Sequence, residues 1–397
     1  MPGGFIIRTC PAIKKEGLLL SKAVTKIQII FTVFLLIYPV KAQKFMVTLT
    51  KVMNIGEGEN IKKECVFKFP LFVITDSKKN IYVSDYGQSR IKVFDKNGSF
   101  VKYIGKTGRG PGEFQEISAV SIDSKDNLVI VDKKNWRITT YSDFGDNYKC
   151  SPFNDKLSLL LIKHLNDSQT IFFYVKSAPG FYKKTDKLFH IYNEKFKEMS
   201  SFGQMKTVYN FDDDFIIERI RHEVFASIEV VNQNKFFFSP EYYYGDIYMF
   251  ERKADNWEIT KIKGKSFYKK PYKEININNT NLKHYSFVYS GVKKKYGIKL
   301  LCKNEGLVTL NDTTLMHLLF RVSGKDKVLR YIELFKTSGE FLGYADNGDI
   351  EMIPPEPGLK GLEKVFCRDN EGNVYLSICT KEGFYTVGKY KVSYRRL

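Results

Sequence analysis

The sequence predicts an all-β fold on three observations. Aromatic residues make up 15% of the 397 residues, and such side chains suit the pleated surface of a sheet. β-Branched and aromatic residues alternate with polar ones in short runs bounded by turn formers, which is typical of strands rather than helices. One stretch of the chain also repeats at a fixed spacing. These features together predict a chain built from repeated β-sheet units.

The repeat covers residues 76–98 and 123–145, which read DSKKNIYVSDYGQSRIKVFDKNG and DSKDNLVIVDKKNWRITTYSDFG. Equivalent landmarks, such as Asp76 and Asp123, lie 47 residues apart. In each unit a D-x-x-x-N turn precedes a strand, a short loop leads to a second strand, and a glycine turn follows. A period in this range indicates supersecondary units that bury their faces against neighbours. Each unit is therefore predicted to be a four-stranded antiparallel meander.

Looser copies with turns near residues 168, 233, 312 and 373 continue to the end of the chain. Six such units can close into a ring, which protects strand edges that an open array would expose. The sequence thus predicts a six-bladed β-propeller that forms a single domain over residues 43–397, with an insertion near 261–300.

Residues 105–114, GKTGRGPGEF, raise the question of a nucleotide site. A P-loop needs a glycine five positions before Gly105, but Phe100 stands there. Pro111 opposes the helix that would offer its N-terminus to phosphate, and Glu113 replaces the third glycine of a dinucleotide motif. We expect a crossing loop between two blades, with Phe114 packed between them.

The N-terminal 42 residues predict export. A short apolar run over residues 26–39 follows Lys22 and Lys26 and ends at Val40-Lys41-Ala42, as in a secretory signal cut after Ala42. The alternative is an uncleaved membrane anchor. We expect a periplasmic or cell-surface protein, with peripheral membrane association as an open alternative. The formal charge is +19, but the lysines are spread along the chain.

Five cysteines would remain after cleavage: Cys65, Cys150, Cys302, Cys367 and Cys379. An odd number without a close C-x-x-C pair argues against a zinc knuckle or a disulfide framework. We expect buried, unpaired thiols, with a bridge between Cys367 and Cys379 as the alternative.

The pattern N-I-Y-V-S-D-x-x-x-x-R-I-K-V-F-D-x-x-G, followed by G-x-x-G-x-G-P-G-x-F, resembles the NHL-type repeat. The chain as a whole resembles the exported six-bladed propeller proteins of Bacteroidetes. The resemblance is sharp over residues 76–145 and loose afterwards. It implies an NHL-like propeller and, as an alternative to a binding protein, a metal-dependent propeller enzyme similar to lactonases or to the amidating lyase.

Residues for such chemistry are not evident in the sequence. The five histidines are scattered without a short pairing, so we expect them to pack or lie at the surface. We expect the Asp and Asn of each D-x-x-x-N motif to bond the backbone of a tight turn. The acidic stretches 212–214 and 346–349 are expected to form solvated turns rather than calcium-binding loops. We expect no catalytic residue, no metal and no cofactor.

The segment 261–297 mixes lysines with Phe267, Tyr268, Tyr272 and Tyr285. Lysines and stacking rings can hold polyanions, but an exported protein seldom meets nucleic acid. We expect an insertion whose rings pack partly on the fourth and fifth blades, and no nucleic-acid partner.

A ligand is expected on the end of the propeller where the loop between the second and third strands of each blade meets the connectors. Exposed Trp, Tyr and Arg on a rigid scaffold dominate recognition sites. The partner is expected to be a glycan, a peptide or an envelope protein, bound by a monomer. For Arg90 and Arg137, which recur, ion pairs with Asp85 and Asp132 are the alternative. The candidate ligand-binding residues are Tyr86, Arg90, Arg109, Trp136, Arg137, Tyr242, Tyr243 and Tyr244.

Overall fold

A computed structural model describes residues 43–56, 62–85, 87–153, 161–177, 181–210, 212–220, 226–278, 286–291, 294–324, 327–353, 359–380, 383 and 385–397. The predicted signal over residues 1–42 and the candidate Tyr86 lie outside these ranges. The prediction of a six-bladed propeller with four-stranded antiparallel blades is confirmed. Strand β1 (Gln43–Ile55) precedes the first blade.

Three blades form the first half of the ring. The first contains β2 (Pro70–Thr75), β3 (Ile81–Asp85), β4 (Ile91–Phe94) and β5 (Phe100–Ile104). Its connector to the second blade carries the short parallel pair β6 (Lys106–Thr107) and β7 (Glu113–Phe114). The second contains β8 (Ile117–Ile122), β9 (Leu128–Asp132), β10 (Arg137–Ser142) and β11 (Asn147–Pro152). The third contains β12 (Leu161–Asn166), β13 (Gln169–Phe173), β14 (Lys187–Asn193) and β15 (Glu198–Gln204).

Two short helices, α1 (Met205–Val208) and α2 (Asp214–Arg219), lead into the second half. The fourth blade contains β16 (Ser227–Asn232), β17 (Lys235–Ser239), β18 (Asp246–Lys253) and β19 (Asn256–Lys263). The insertion forms β20 (Tyr272–Glu274), β21 (Ser286–Ser290) and β22 (Lys295–Leu300). The fifth blade contains β23 (Cys302–Thr309), β24 (Thr314–Ser323), β25 (Lys327–Lys336) and β26 (Phe341–Ala345). After β27 (Ile350–Ile353), the sixth contains β28 (Leu359–Arg368), β29 (Val374–Thr380) and β30 (Tyr385–Arg396).

The blades surround an axis lined by their first strands, and each interface between neighbouring blades has its own apolar cluster. Because strands alternate their side chains, every blade buries one face against each neighbour. Representative fully buried members of the six clusters, in ring order, are Phe114, Phe172, Phe189, Phe335, Leu334 and Phe94.

The sixth blade is completed by the first strand of the domain. β1 pairs antiparallel with β30, from Phe45 opposite Arg396 to Ile55 opposite Val387. It also meets β26 and β27 in parallel. The sequence did not predict this strand, which joins the two ends of the domain and closes the ring.

The insertion packs on the propeller as expected for its described rings. The Phe267 ring stands edge-on against Tyr331 of the fifth blade at 4.5 Å. The Tyr268 hydroxyl donates to the carbonyl of Val322, and Tyr272 is buried. The fourth ring of this segment, Tyr285, lies outside the described residues.

The expectation of unpaired thiols is confirmed, because all five cysteines are free, although only Cys302 and Cys379 are fully buried. The alternative of a bridge is wrong: Cys367 lies opposite Tyr375 whereas Cys379 lies opposite Gly361, so the two thiols are far apart along the blade. The expectation of a solvated turn at residues 212–214 is also wrong in part. Residue Asp213 is not a solvated turn, because its buried carboxylate caps α2 through the Ile216 N–H. Among the helices in the described ranges, none has the length and apolar character needed to cross a bilayer.

Candidate functional site

The two ends of the propeller differ in construction. Because blade strands alternate direction, the loops between second and third strands emerge at the same end as the connectors to the next blade. We call this end the connector face; it carries residues 87–90, 105–116, 133–136 and 240–245. The opposite end, the turn face, carries the D-x-x-x-N turns 76–80, 123–127 and 369–373.

The glycine-rich connector 105–114 is a closed structural loop. Gly105 adopts φ 77°, and a Cβ there would overlap the ring of Phe114, which is buried between the first two blades as expected. The Glu113 carboxylate accepts the Gly110 N–H at 2.8 Å, and this bond, followed by the one from Lys106, lowers its pKa. A phosphate would have to compete with this carboxylate for the Gly110 N–H.

Arg137 fastens the same connector to the second blade. Its guanidinium donates to the carbonyls of Arg109 at 3.1 Å and Gly110 at 2.6 Å, and also to that of Glu113. The ion pair with Asp132, which was the alternative to a ligand-binding role, is absent from the described contacts. Asp132 instead accepts the N–H groups of residues 115 and 116, each at 3.0 Å. Arg137 is therefore structural, but through backbone carbonyls rather than an aspartate.

Arg90 occupies the equivalent position in the first blade and stacks on the Tyr103 ring at 4.0 Å. Asp85 accepts the N–H groups of Lys68 and Phe69 at 3.0 and 2.7 Å. The recurring aspartates Asp85 and Asp132 thus each hold the chain that enters their blade, and neither pairs with the recurring arginine.

Trp136 lies on the connector face and projects into solvent, with 46% of its surface exposed. Its backbone is left-handed, with φ 52°, a conformation that costs a residue with a Cβ about 1 kcal/mol or more. Two contacts maintain it: the Trp136 carbonyl accepts the Phe153 N–H at 2.8 Å, and the neighbouring Asn135 amide donates to the Gly108 carbonyl at 2.9 Å. Arg109, also exposed, lies in the connector that this amide contacts.

The expectation that residues 242–244 present exposed rings is wrong for Tyr242 and Tyr243, which are only 1% and 3% exposed. Tyr244 is partly buried. All three hydroxyls contact charged side chains: Tyr242 accepts from Arg219 at 2.9 Å, Tyr243 donates to Glu333 at 2.6 Å and Tyr244 donates to Asp213 at 2.7 Å. The run ties the fourth blade to α2 and to the fifth blade.

Glu333 belongs to a buried Ser–His–Glu arrangement that the sequence did not reveal. His317 contacts Ser239 Oγ through Nε2 at 3.0 Å and Glu333 through Nδ1 at 3.1 Å. However, Nε2 also lies 3.1 Å from Asn304 Oδ1, which accepts the Gly306 N–H. Nε2 must therefore carry a hydrogen, so it cannot take a proton from the serine. With all three residues fully buried, this set joins two blades rather than forming a nucleophile.

Charged side chains also line the axial channel, which narrows to a cavity of about 70 Å³. Lys364 donates to the Leu71 carbonyl at 3.2 Å, and burial lowers its pKa to about 8. The preceding residue, Glu363, does not line the cavity; its pKa is raised by burial, and it pairs with Arg330 of the fifth blade at 2.8 Å. Perturbed groups of this kind are frequent at functional sites. The first strand of the sixth blade reads LKGLEKVFCR, so no single charged residue in it stood out in the sequence.

The turn face has a wider opening of about 380 Å³ where the axis emerges, lined by residues of the first, second, third and sixth blades. The D-x-x-x-N prediction is confirmed there: Asp76 and Asp123 accept the N–H groups of Asn80 and Asn127, each at 2.8 Å. His164 lines the same opening, and burial lowers its pKa to about 4. In the described ranges, no three His, Cys, Asp or Glu side chains are grouped so that they could hold a metal ion.

A closed ring of six antiparallel blades with a narrow axis defines the chain as a β-propeller. Its residues 62–296 match the DUF5128 family, described as a 6-bladed beta-propeller. The match covers more than half of the chain, and the chain belongs to this family.

Solved structures with a similar fold come from Bacteroides. A Bacteroides fragilis protein described as exported has a TM-score of 0.51 and 13% identity, over 89% of this chain and 95% of its own. A DUF4221 protein of Bacteroides vulgatus has a TM-score of 0.50 and 10% identity, over 89% and 97%. At such identities the likeness concerns the fold alone. No curated protein matches the chain.

Proposed function

We propose that the chain is an exported, non-catalytic binding or scaffold protein whose connector face holds a glycan, a peptide or an envelope protein. Export is supported by the apolar run and V-x-A sequence before residue 43 and by the exported B. fragilis neighbour. The observation that carries the binding role is Trp136, a large exposed ring on a left-handed backbone.

Two unfavourable features coincide at Trp136. The left-handed backbone costs free energy, and an apolar ring half in water forgoes part of the stabilisation that burial would give. A strained backbone conformation persists where surrounding contacts hold it in place, and such conformations are frequent at binding sites. The contacts of Asn135 and Phe153 supply that support. A preorganised indole loses little conformational entropy when a ligand covers it.

The charged groups beside Trp136 support binding rather than acid–base chemistry. Arg137 is committed to backbone carbonyls and Glu113 to a backbone N–H. A general acid or base must be within reach of a substrate proton and free to exchange one. Arg109, which is exposed, could instead add a charge-assisted contact to a ligand that covers the indole.

Tryptophan fluorescence tests this proposal directly, because the chain has only two tryptophans. Trp257 stacks on Phe202 at 4.8 Å, so Trp257→Phe keeps an aromatic contact and leaves Trp136 as the single reporter. A panel of glycans, peptides and fractions of an envelope extract is then added. A ligand that covers Trp136 should shift its emission to shorter wavelength.

The matched control is Trp136→Phe, in which Trp257 reports and should not respond. If calorimetry detects a ligand that leaves Trp136 emission unchanged, the connector face around Trp136 is not the site. The alternative function, a metal-dependent propeller enzyme, requires a stoichiometric metal; elemental analysis after titration with zinc, calcium and manganese separates it from the binding role.

A further inference from the structure

The insertion sheet has two unlike faces. Residues directly opposite in an antiparallel pair share a face, and the register places Tyr272 opposite Leu300 and Tyr289 opposite Tyr296. This inner face packs on Phe215 of α2, whose ring lies 4.7 Å from that of Tyr272. The sheet is thereby fixed on the connector side of the propeller, between the fourth and fifth blades.

The outward face, which we call the lysine face, consists of Lys273, Lys295, Lys299, Ser286, Val288 and Ser290 around Gly297. Lys273 lies directly opposite Lys299 in the pairing of β20 with β22. No acidic residue in the described part of the three strands shares this side.

The centre of the lysine face is apolar. Val288 is opposite Gly297 and 41% exposed, and Ile277, which is 45% exposed, reaches over Gly297. A surface with exposed aliphatic groups inside a rim of lysines matches a bilayer interface, where the aliphatic groups enter the headgroup boundary and ammonium groups meet anionic lipid. Nucleic acid fits less well, because base stacking needs exposed rings, and the lysine face has none among its described residues.

We propose that the lysine face docks onto the surface of a bilayer that contains anionic phospholipid. This inference does not depend on the role of Trp136, since the lysine face lies on the insertion sheet whereas Trp136 lies on the second blade. Lysines near such a surface contribute about five-fold each in affinity, and the contribution declines with salt because the surface field is screened.

Vesicle flotation with the full chain tests the proposal, using phosphatidylcholine vesicles with and without about one-third phosphatidylglycerol. Binding to the neutral vesicles measures any contribution of the apolar run before residue 43. The double variant Lys273→Gln, Lys295→Gln should lose roughly 25-fold of its affinity for anionic vesicles. The matched control, Lys96→Gln with Lys125→Gln, removes two exposed lysines from the turn face and should retain wild-type binding.

Val288→Ser distinguishes a bilayer from a soluble polyanion. It should weaken binding to anionic vesicles several-fold, since less apolar surface enters the interface, and leave binding of a single-stranded oligonucleotide unchanged. The proposal is overturned if the two double variants lose the same affinity for anionic vesicles, or if phosphatidylglycerol does not increase vesicle binding by wild type. It is also overturned if Val288→Ser leaves vesicle binding unchanged while an oligonucleotide displaces the vesicles.

Discussion

Acidification should destabilise the propeller through His164 on the first strand of the third blade. Its Nδ1 lies 2.9 Å from the Thr170 hydroxyl, while its Nε2 is buried with no hydrogen-bond partner in the described part of the chain. A second proton would place a positive charge in this poorly solvated position. Burial therefore lowers the pKa of His164 to about 4.

The size of the effect follows from that pKa. In the unfolded chain a histidine titrates near 6.5, so between about pH 6.5 and pH 4 the unfolded state binds a proton that the folded state does not. Stability is thus complete above about pH 7 and declines as pH falls through this window. Each pKa unit corresponds to about 1.4 kcal/mol, which gives a loss of about 1.4 kcal/mol at pH 5.5 and about 2.5 kcal/mol at pH 4.5.

Urea unfolding of wild type and His164→Gln at several pH values between about 7.5 and 4.5 measures this loss. Glutamine keeps a polar group near Thr170 but does not titrate. Other groups, including His190, whose pKa burial also lowers, contribute to both proteins and cancel in the difference. On acidification, the free energy of unfolding of the variant should fall less than that of wild type, by about 1.4 kcal/mol at pH 5.5 and about 2.5 kcal/mol at pH 4.5. Parallel stability curves for the two proteins would refute the assignment to His164.

Three further outcomes are expected. Phe114→Ala should lower the free energy of unfolding by about 3–5 kcal/mol, measured by urea denaturation, whereas the exposed Tyr148→Ala should cost less than about 1 kcal/mol. Arg137→Lys should destabilise by about 1–3 kcal/mol, since one ammonium cannot reproduce a guanidinium fork across three carbonyls; full retention of stability would contradict that role. Alkylation in denaturant without reductant should label both Cys367 and Cys379, because neither thiol is in a disulfide. If mass spectrometry finds either cysteine unlabelled, the conclusion that the two thiols are too far apart to pair would be contradicted.

Much of the fold could be predicted because the informative contacts are local. The Asp76 carboxylate bonds the N–H of Asn80, four residues away, so the turn leaves its signature within one short segment. The closing strand could not be recognised in this way. Its partner β30 is more than 300 residues distant, and nothing in the pattern of residues 43–55 specifies which edge that strand completes.

The candidate site was harder to predict because exposure depends on distant partners. A run of three tyrosines after a strand is typical of a binding loop, yet Arg219, Glu333 and Asp213 hold the three hydroxyls. These partners lie on α2, on the fifth blade and at the N-terminus of α2, and no spacing in the sequence links them to residues 242–244. The buried charges of the axial channel were missed for the same reason.

Recurrence within the chain separates structural residues from functional candidates. Asp85 and Asp132, 47 residues apart, both hold the segment entering their blade. Ser77 donates to Asp126 of the next blade, and its equivalent Ser124 donates to Asp167 of the blade after that. Every blade must be joined to its neighbours, so residues that make these joints recur.

Trp136 does not recur, since the equivalent residue of the first blade is Ser89. The connector between the first two blades holds only the short pair β6 and β7 in place of an insertion such as that near 261–300. Neither feature is needed to build a blade, because the first blade forms the same four antiparallel strands without them. Substitution of Trp136 should therefore affect ligand binding far more than stability, in contrast to substitution of Arg137 beside it, and this difference is what a recognition role at the connector face requires.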